Sequence, residues 1–68
     1  MITDKLTNRQ KDVLKLAIEG LTSKEIGKLL KLSYRTIETH KTHMLHVTDS
    51  RNLIHLIGKL YRERYTNI

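Results

Sequence analysis

A chain of 68 residues with 13 basic and 7 acidic side chains carries a formal charge of +6, and it has three glycines, no proline and no cysteine. That length supports one domain, 1–68, whose single core supplies only a few kcal/mol. The composition excludes a disulfide framework and a thiolate metal site, and no apolar run approaches the roughly 18 residues of a membrane span, so neither a membrane nor export is expected. The setting these features suit is a reducing cytoplasm, and for a basic domain an association with the nucleoid. Excess positive charge in a small domain points to a polyanionic partner. Residues 1–23 hold four basic and three acidic groups, residues 24–41 five and two, and residues 42–68 four and two, so the basicity follows the middle and the tail of the chain.

Scarce glycine and absent proline predict an all-α fold, a small four-helix domain. The first helix, about residues 8–19, opens on the capping pattern Thr7, Asn8, Arg9, Gln10. It carries an apolar stripe of Val13, Leu14, Ala17 and Ile18 and stops near Gly20. Thr22, Ser23, Lys24, Glu25 repeats the capping pattern, and Ile26, Leu29 and Leu30 follow at helical spacing. Gly27 leaves one flank bare for a close crossing. Lys31 falls where such a turn takes a left-handed residue, at a cost of order 1 kcal/mol for a residue other than glycine. Ser33 then caps a helix that begins at Tyr34. Two short helices joined by a tight turn, about residues 22–45, form a helix-turn-helix.

Projected at about 100° per residue, the helix from Tyr34 turns Ile37 and Met44 to one side and Arg35, Thr39, Thr42, His43 and His46 to the other. The outer side contains no acid. Hydroxyls, imidazoles and an arginine suit a groove of base-edge and phosphate acceptors, although a merely solvated face has the same residues. A last helix is predicted from Asp49 or Ser50 to about Tyr65. Its apolar positions spread over roughly 200° of the projection, more than one small core covers. Leu53, Leu56, Ile57 and Leu60 are assigned to the core, and Ile54, Gly58, Tyr61 and Tyr65 to an outer stripe that pairs with a second copy.

The run Leu6-Thr7-x-Arg9, Val13-Leu14, Gly20-Leu21-x-x-Lys24-Glu25-Ile26, then Leu30-x-Leu32-Ser33-x-x-Thr36-Ile37-x-x-His40, resembles the LuxR-type (GerE/FixJ-like) helix-turn-helix family over about residues 6–57. The resemblance implies a bacterial transcription regulator that inserts its third helix into the major groove of double-stranded DNA and often pairs through its fourth. It also implies that Lys24, Thr36 and His40 meet backbone phosphates. Glu38 occupies a variable position of the reading helix, where it would accept from a cytosine amino group or pair with Arg35 or Lys41. The candidate DNA contacts are thus Lys24, Lys28, Ser33, Arg35, Thr36, Glu38, Thr39, His40, Thr42 and His43. This chain departs from the pattern after His40: His43 replaces a customary Asn, and the interval to Arg51 is about two residues shorter than the family's habit. That predicts a reading helix ending early, near Leu45, and an altered angle to the fourth.

His40, His43 and His46 recur every three residues, but no cysteine joins them and the third is rotated away, so no metal and no cofactor is expected. Neither a carboxylate pair, an activated nucleophile nor a glycine-rich phosphate loop is present, which speaks against an enzyme. RNA polymerase is a further candidate partner, and the alternative function is a protein-interaction module that pairs with a related regulator without reading DNA.

Overall fold

Each of the four helices starts on a side-chain cap, and these caps divide the chain. A computed structural model describes residues 1–66, with side chains to residue 64. A short 3-10 turn at Ile2–Lys5 leads to α1 (Asn8–Ile18), α2 (Ser23–Leu30), α3 (Tyr34–Val47) and α4 (Leu53–Thr66). No strand occurs among the described residues, and the fold is the expected all-α, four-helix arrangement. The hydroxyl of Thr7 accepts the Gln10 N–H at 3.1 Å while the Gln10 side chain takes the Thr7 N–H at 3.0 Å. Thr22 and Glu25 exchange the same pair of bonds. The Thr22 N–H bond, helped by the Thr22 side chain, holds the Glu25 carboxyl below its ordinary pKa. Ser33 Oγ accepts from Thr36 N–H at 3.1 Å.

The ends of the first three helices share one device. Leu21 N–H reaches the Leu16 carbonyl, Leu32 N–H the Gly27 carbonyl and Ser50 N–H the Leu45 carbonyl, each five residues back. This bond requires a left-handed residue just before its donor. Those residues are Gly20 at φ 93°, Lys31 at φ 58° and Asp49 at φ 52°. The sequence points to the first two. Asp49 it misreads as the opening of the last helix, and two expectations fail there. Helix α3 runs past Leu45 to Val47, because Thr48 Oγ1 donates to the Met44 carbonyl at 2.6 Å and the Ser50 bond closes the final turn. Helix α4 begins at Leu53 rather than near residue 50, since Asn52 Oδ1 accepts the His55 N–H at 2.8 Å and Nδ1 of His55 takes the Arg51 N–H.

Leu6, Val13, Leu14, Ile26, Ile37, Met44 and Leu56 form one buried cluster drawn from every helix, with Leu53, Ile57 and Leu60 packed against it. The expected inward pair of α3, Ile37 and Met44, is fully buried. Ile18 departs from its assigned stripe: as the last residue of α1 it is exposed and lines a groove with Leu14 and Leu60. α3 packs against both α1 and α2. At the crossing, a Cβ on Gly27 would come within 2.6 Å of the Leu32 carbonyl oxygen. The bare flank at Gly27 therefore admits the turn backbone itself, which sets how closely α2 can approach α3. No described helix is long and apolar enough to cross a membrane.

Candidate nucleic-acid interface

With Ile37 and Met44 anchored in the core, the rest of α3 is rotated outward by helical geometry. Arg35, Thr39, Thr42, His43 and His46 are all exposed, and Thr36 and His40 are half-buried on its flank. Thr39 Oγ1 donates to the Arg35 carbonyl and Thr42 Oγ1 to the Glu38 carbonyl, each at 3.0 Å. Those bonds use the hydroxyl protons and leave oxygen lone pairs outward, while rotation of the hydroxyl frees the proton for a base acceptor. Ser33 is exposed, but its Oγ is engaged at the helix start with Thr36, 2.9 Å from the Thr36 hydroxyl. Lys24 and Lys28 are exposed on α2. The candidate contacts therefore divide between the outer side of α3, the start of α3 and the outer side of α2.

Glu38 is the one acid of α3, and it does not stand free. Ser23 Oγ donates to its Oε2, and Lys41 Nζ lies 3.9 Å from the same oxygen. Lys41 Nζ also donates to Ser23 Oγ at 2.6 Å, closing a three-membered network between α2 and α3. Of the two partners the sequence offered for Glu38, the structure selects Lys41 and not Arg35. Ser23 was absent from the sequence-based site. Its distance of fifteen residues from Glu38 leaves no local signal, and as a first-turn serine it reads only as a good helix start. Lys59 was missed as well. Its ammonium donates to the Thr48 carbonyl at 2.7 Å and to that of Asp49, tying α4 to the C-terminal end of α3.

In the fourth-helix stripe Ile54 and Tyr61 are exposed and Gly58 is half-buried. Ile54 is 82% and Tyr61 61% exposed, and a Cβ on Gly58 would meet nothing within 4 Å. Tyr65 lies outside the described side chains. Among the described residues no group of three His, Cys, Asp or Glu side chains is placed to hold a metal ion.

A tight turn between α2 and α3, with an exposed polar second helix, defines a helix-turn-helix domain. The chain belongs to the luxR family of bacterial regulatory proteins, whose family model matches residues 4–57. It is thus a DNA-binding domain of a family of transcription regulators. It is 41% identical over 59 residues to the "Uncharacterized response regulatory protein YgeK" of Escherichia coli (strain K12), covering 87% of this chain and 40% of that one. Proteins named "Probable transcriptional regulator ycf29" are 42% identical in Pyropia yezoensis and 45% in Porphyra purpurea, covering 71% and 69% of this chain and 22% of each relative. The chain therefore spans well under half the length of these relatives. No solved structure gives a significant match.

Proposed function

We propose that this domain reads double-stranded DNA by sequence, with α3 lying in the major groove. It does so as part of a cytoplasmic, nucleoid-associated transcription regulator that pairs through α4. The observation that carries the reading is the outer side of α3, which exposes Arg35, Thr39, Thr42, His43 and His46 without an acid. The helix's one carboxylate, Glu38 at the border of that side, has one oxygen held by Ser23 with the Lys41 ammonium beside it. Arg35, Thr39, Thr42 and His43 face base edges in this reading, while Lys24, Lys28, Ser33, Thr36 and His40 meet phosphates. Phosphate contacts position the domain and base contacts specify the sequence. Pairing of two copies would turn one short recognition site into two related half-sites.

The assignment separates two kinds of variant. Thr39→Ala and His43→Ala relax base preference at particular positions, whereas Lys24→Ala weakens binding to all sequences alike and lowers the slope of log Kd against log salt by about one unit. Equal losses on every sequence from all three variants would overturn these roles. An α3 that enriches no sequence at all would favour a domain that pairs with a related regulator through the Ile54 and Tyr61 stripe.

A further inference from the structure

We propose that Ser23 and Lys41 are positioning residues that hold Glu38 so that one of its oxygens reads the amino group of a cytosine. This rests on the reading of α3 as the major-groove helix. Ser23 is buried, at 7% exposure, in the first turn of α2. A serine hydroxyl has one proton to give and lone pairs to receive with. Here the proton goes to Glu38 Oε2, and a lone pair takes the Lys41 ammonium at 2.6 Å. Lys41 stands 3.9 Å from the same carboxylate oxygen. One oxygen of Glu38 is thus engaged by both neighbours. Oε1 has no partner among the described residues, and the side chain is 47% exposed at the border of the outer side of α3.

Two consequences follow for a carboxylate brought near DNA. The adjacent ammonium offsets its charge, so the approach to phosphates is not opposed as it would be for a lone glutamate. The tether also removes rotamer freedom before binding, which lowers the entropic cost of a contact. What the open oxygen can recognise is set by its chemistry, since an ionised carboxylate only accepts. In the major groove the donors are the amino groups of cytosine and adenine, and adenine sets an acceptor nitrogen beside its amino group where a carboxylate is repelled. Cytosine is the base left.

The geometry also fixes what an isosteric amide does. Ser23 donates to the tethered atom and the Lys41 ammonium stands 3.9 Å from it, so the side chain of a Glu38→Gln variant places its oxygen there rather than its NH₂. The amide NH₂ then takes the place of Oε1. The open position becomes a donor, and the preference passes from cytosine to a base that offers an acceptor.

Selection from a randomised duplex pool, run on the wild type, Ser23→Ala, Glu38→Gln and the double variant, tests this. Melting curves on each variant show that it is folded. The wild type is expected to favour cytosine at one position per site by about 10-fold or more. Ser23→Ala should cut that ratio at least about 3-fold without changing the salt dependence, since no phosphate contact is lost. Glu38→Gln should replace the cytosine with an acceptor-bearing base, and adding Ser23→Ala should blur the new preference, because the amide is then free to flip. A wild-type motif that survives both single variants unchanged overturns this proposal alone. Additive, position-independent losses overturn it equally, since they assign Ser23 a structural role only. A wild type that enriches no motif overturns the DNA-reading function, and the proposal with it.

Discussion

Lys31 should be replaceable by glycine with a gain in stability. It is exposed, it occupies the left-handed region at φ 58° and ψ 41°, and its side chain makes no hydrogen bond or ion pair among the described residues. A residue with a Cβ pays about 1–2 kcal/mol in that region. Glycine pays nothing there, but it loses about 0.5–1 kcal/mol more chain entropy on folding than alanine does. The difference leaves Lys31→Gly ahead by about 0.5–1 kcal/mol. In a domain of this size 1 kcal/mol moves the midpoint by roughly 4–8 °C, so the gain is a few degrees. Lys31→Ala is the control, because it removes the same charge and side chain while keeping the Cβ. Gly20→Ala is the mirror experiment: its φ is 93° and an added Cβ there meets nothing within 4 Å, so only backbone strain can act, with an expected loss of about 1 kcal/mol. Thermal melts followed by circular dichroism read all three variants. If Lys31→Ala melts as high as Lys31→Gly, the left-handed turn does not carry the strain assigned to it.

Met44→Ala empties a fully buried site beneath the reading helix and should cost about 2–5 kcal/mol. A core this small supplies little more than that, so its circular dichroism at 37 °C should show a largely unfolded chain. The folded Glu25 carboxyl is held below its ordinary pKa by the Thr22 bonds, so its contribution to stability is fully present above the unfolded value of 4.5 and is lost as pH falls toward and through the folded value. The melting advantage of the wild type over Glu25→Gln should therefore be steady near neutral pH and shrink toward pH 3. An advantage that grows on acidification would reverse the sign. Ile54→Asp, at an exposed position, should leave the melting curve within about 0.5 kcal/mol of wild type at concentrations too dilute for pairing while abolishing self-association in sedimentation equilibrium. A monomeric wild type would remove α4 as the pairing surface.

The helices were legible because their signals are local. Thr7, Thr22 and Ser33 each sit three residues before the N–H they accept, and the burial of Ile37 with Met44 follows from spacing alone. The connection from α3 to α4 was not legible. Asp49 and Ser50 both suit a helix start, and their actual role is to reverse the chain, with Asp49 left-handed and Ser50 bonded back to Leu45. Asn52, the true cap, has the same chemistry as those two earlier residues, so composition does not single it out. At the interface the outer side of α3 could be projected from sequence, since a helix rotates by a fixed angle. The Ser23, Glu38 and Lys41 network could not, because it depends on how α2 crosses α3. That crossing is governed by a carbonyl of the turn lying where a Gly27 side chain would be. Lys59 was invisible for the same reason: its acceptors are backbone carbonyls ten and eleven residues away.

The most direct test of the central claim is selection from a randomised duplex pool across a salt series. A recurring motif bound with nanomolar Kd at physiological salt is expected, its halves related by symmetry if α4 pairs two copies. Micromolar binding that fades with salt and enriches no motif would contradict it, leaving the charge of +6 as a source of non-specific attraction only.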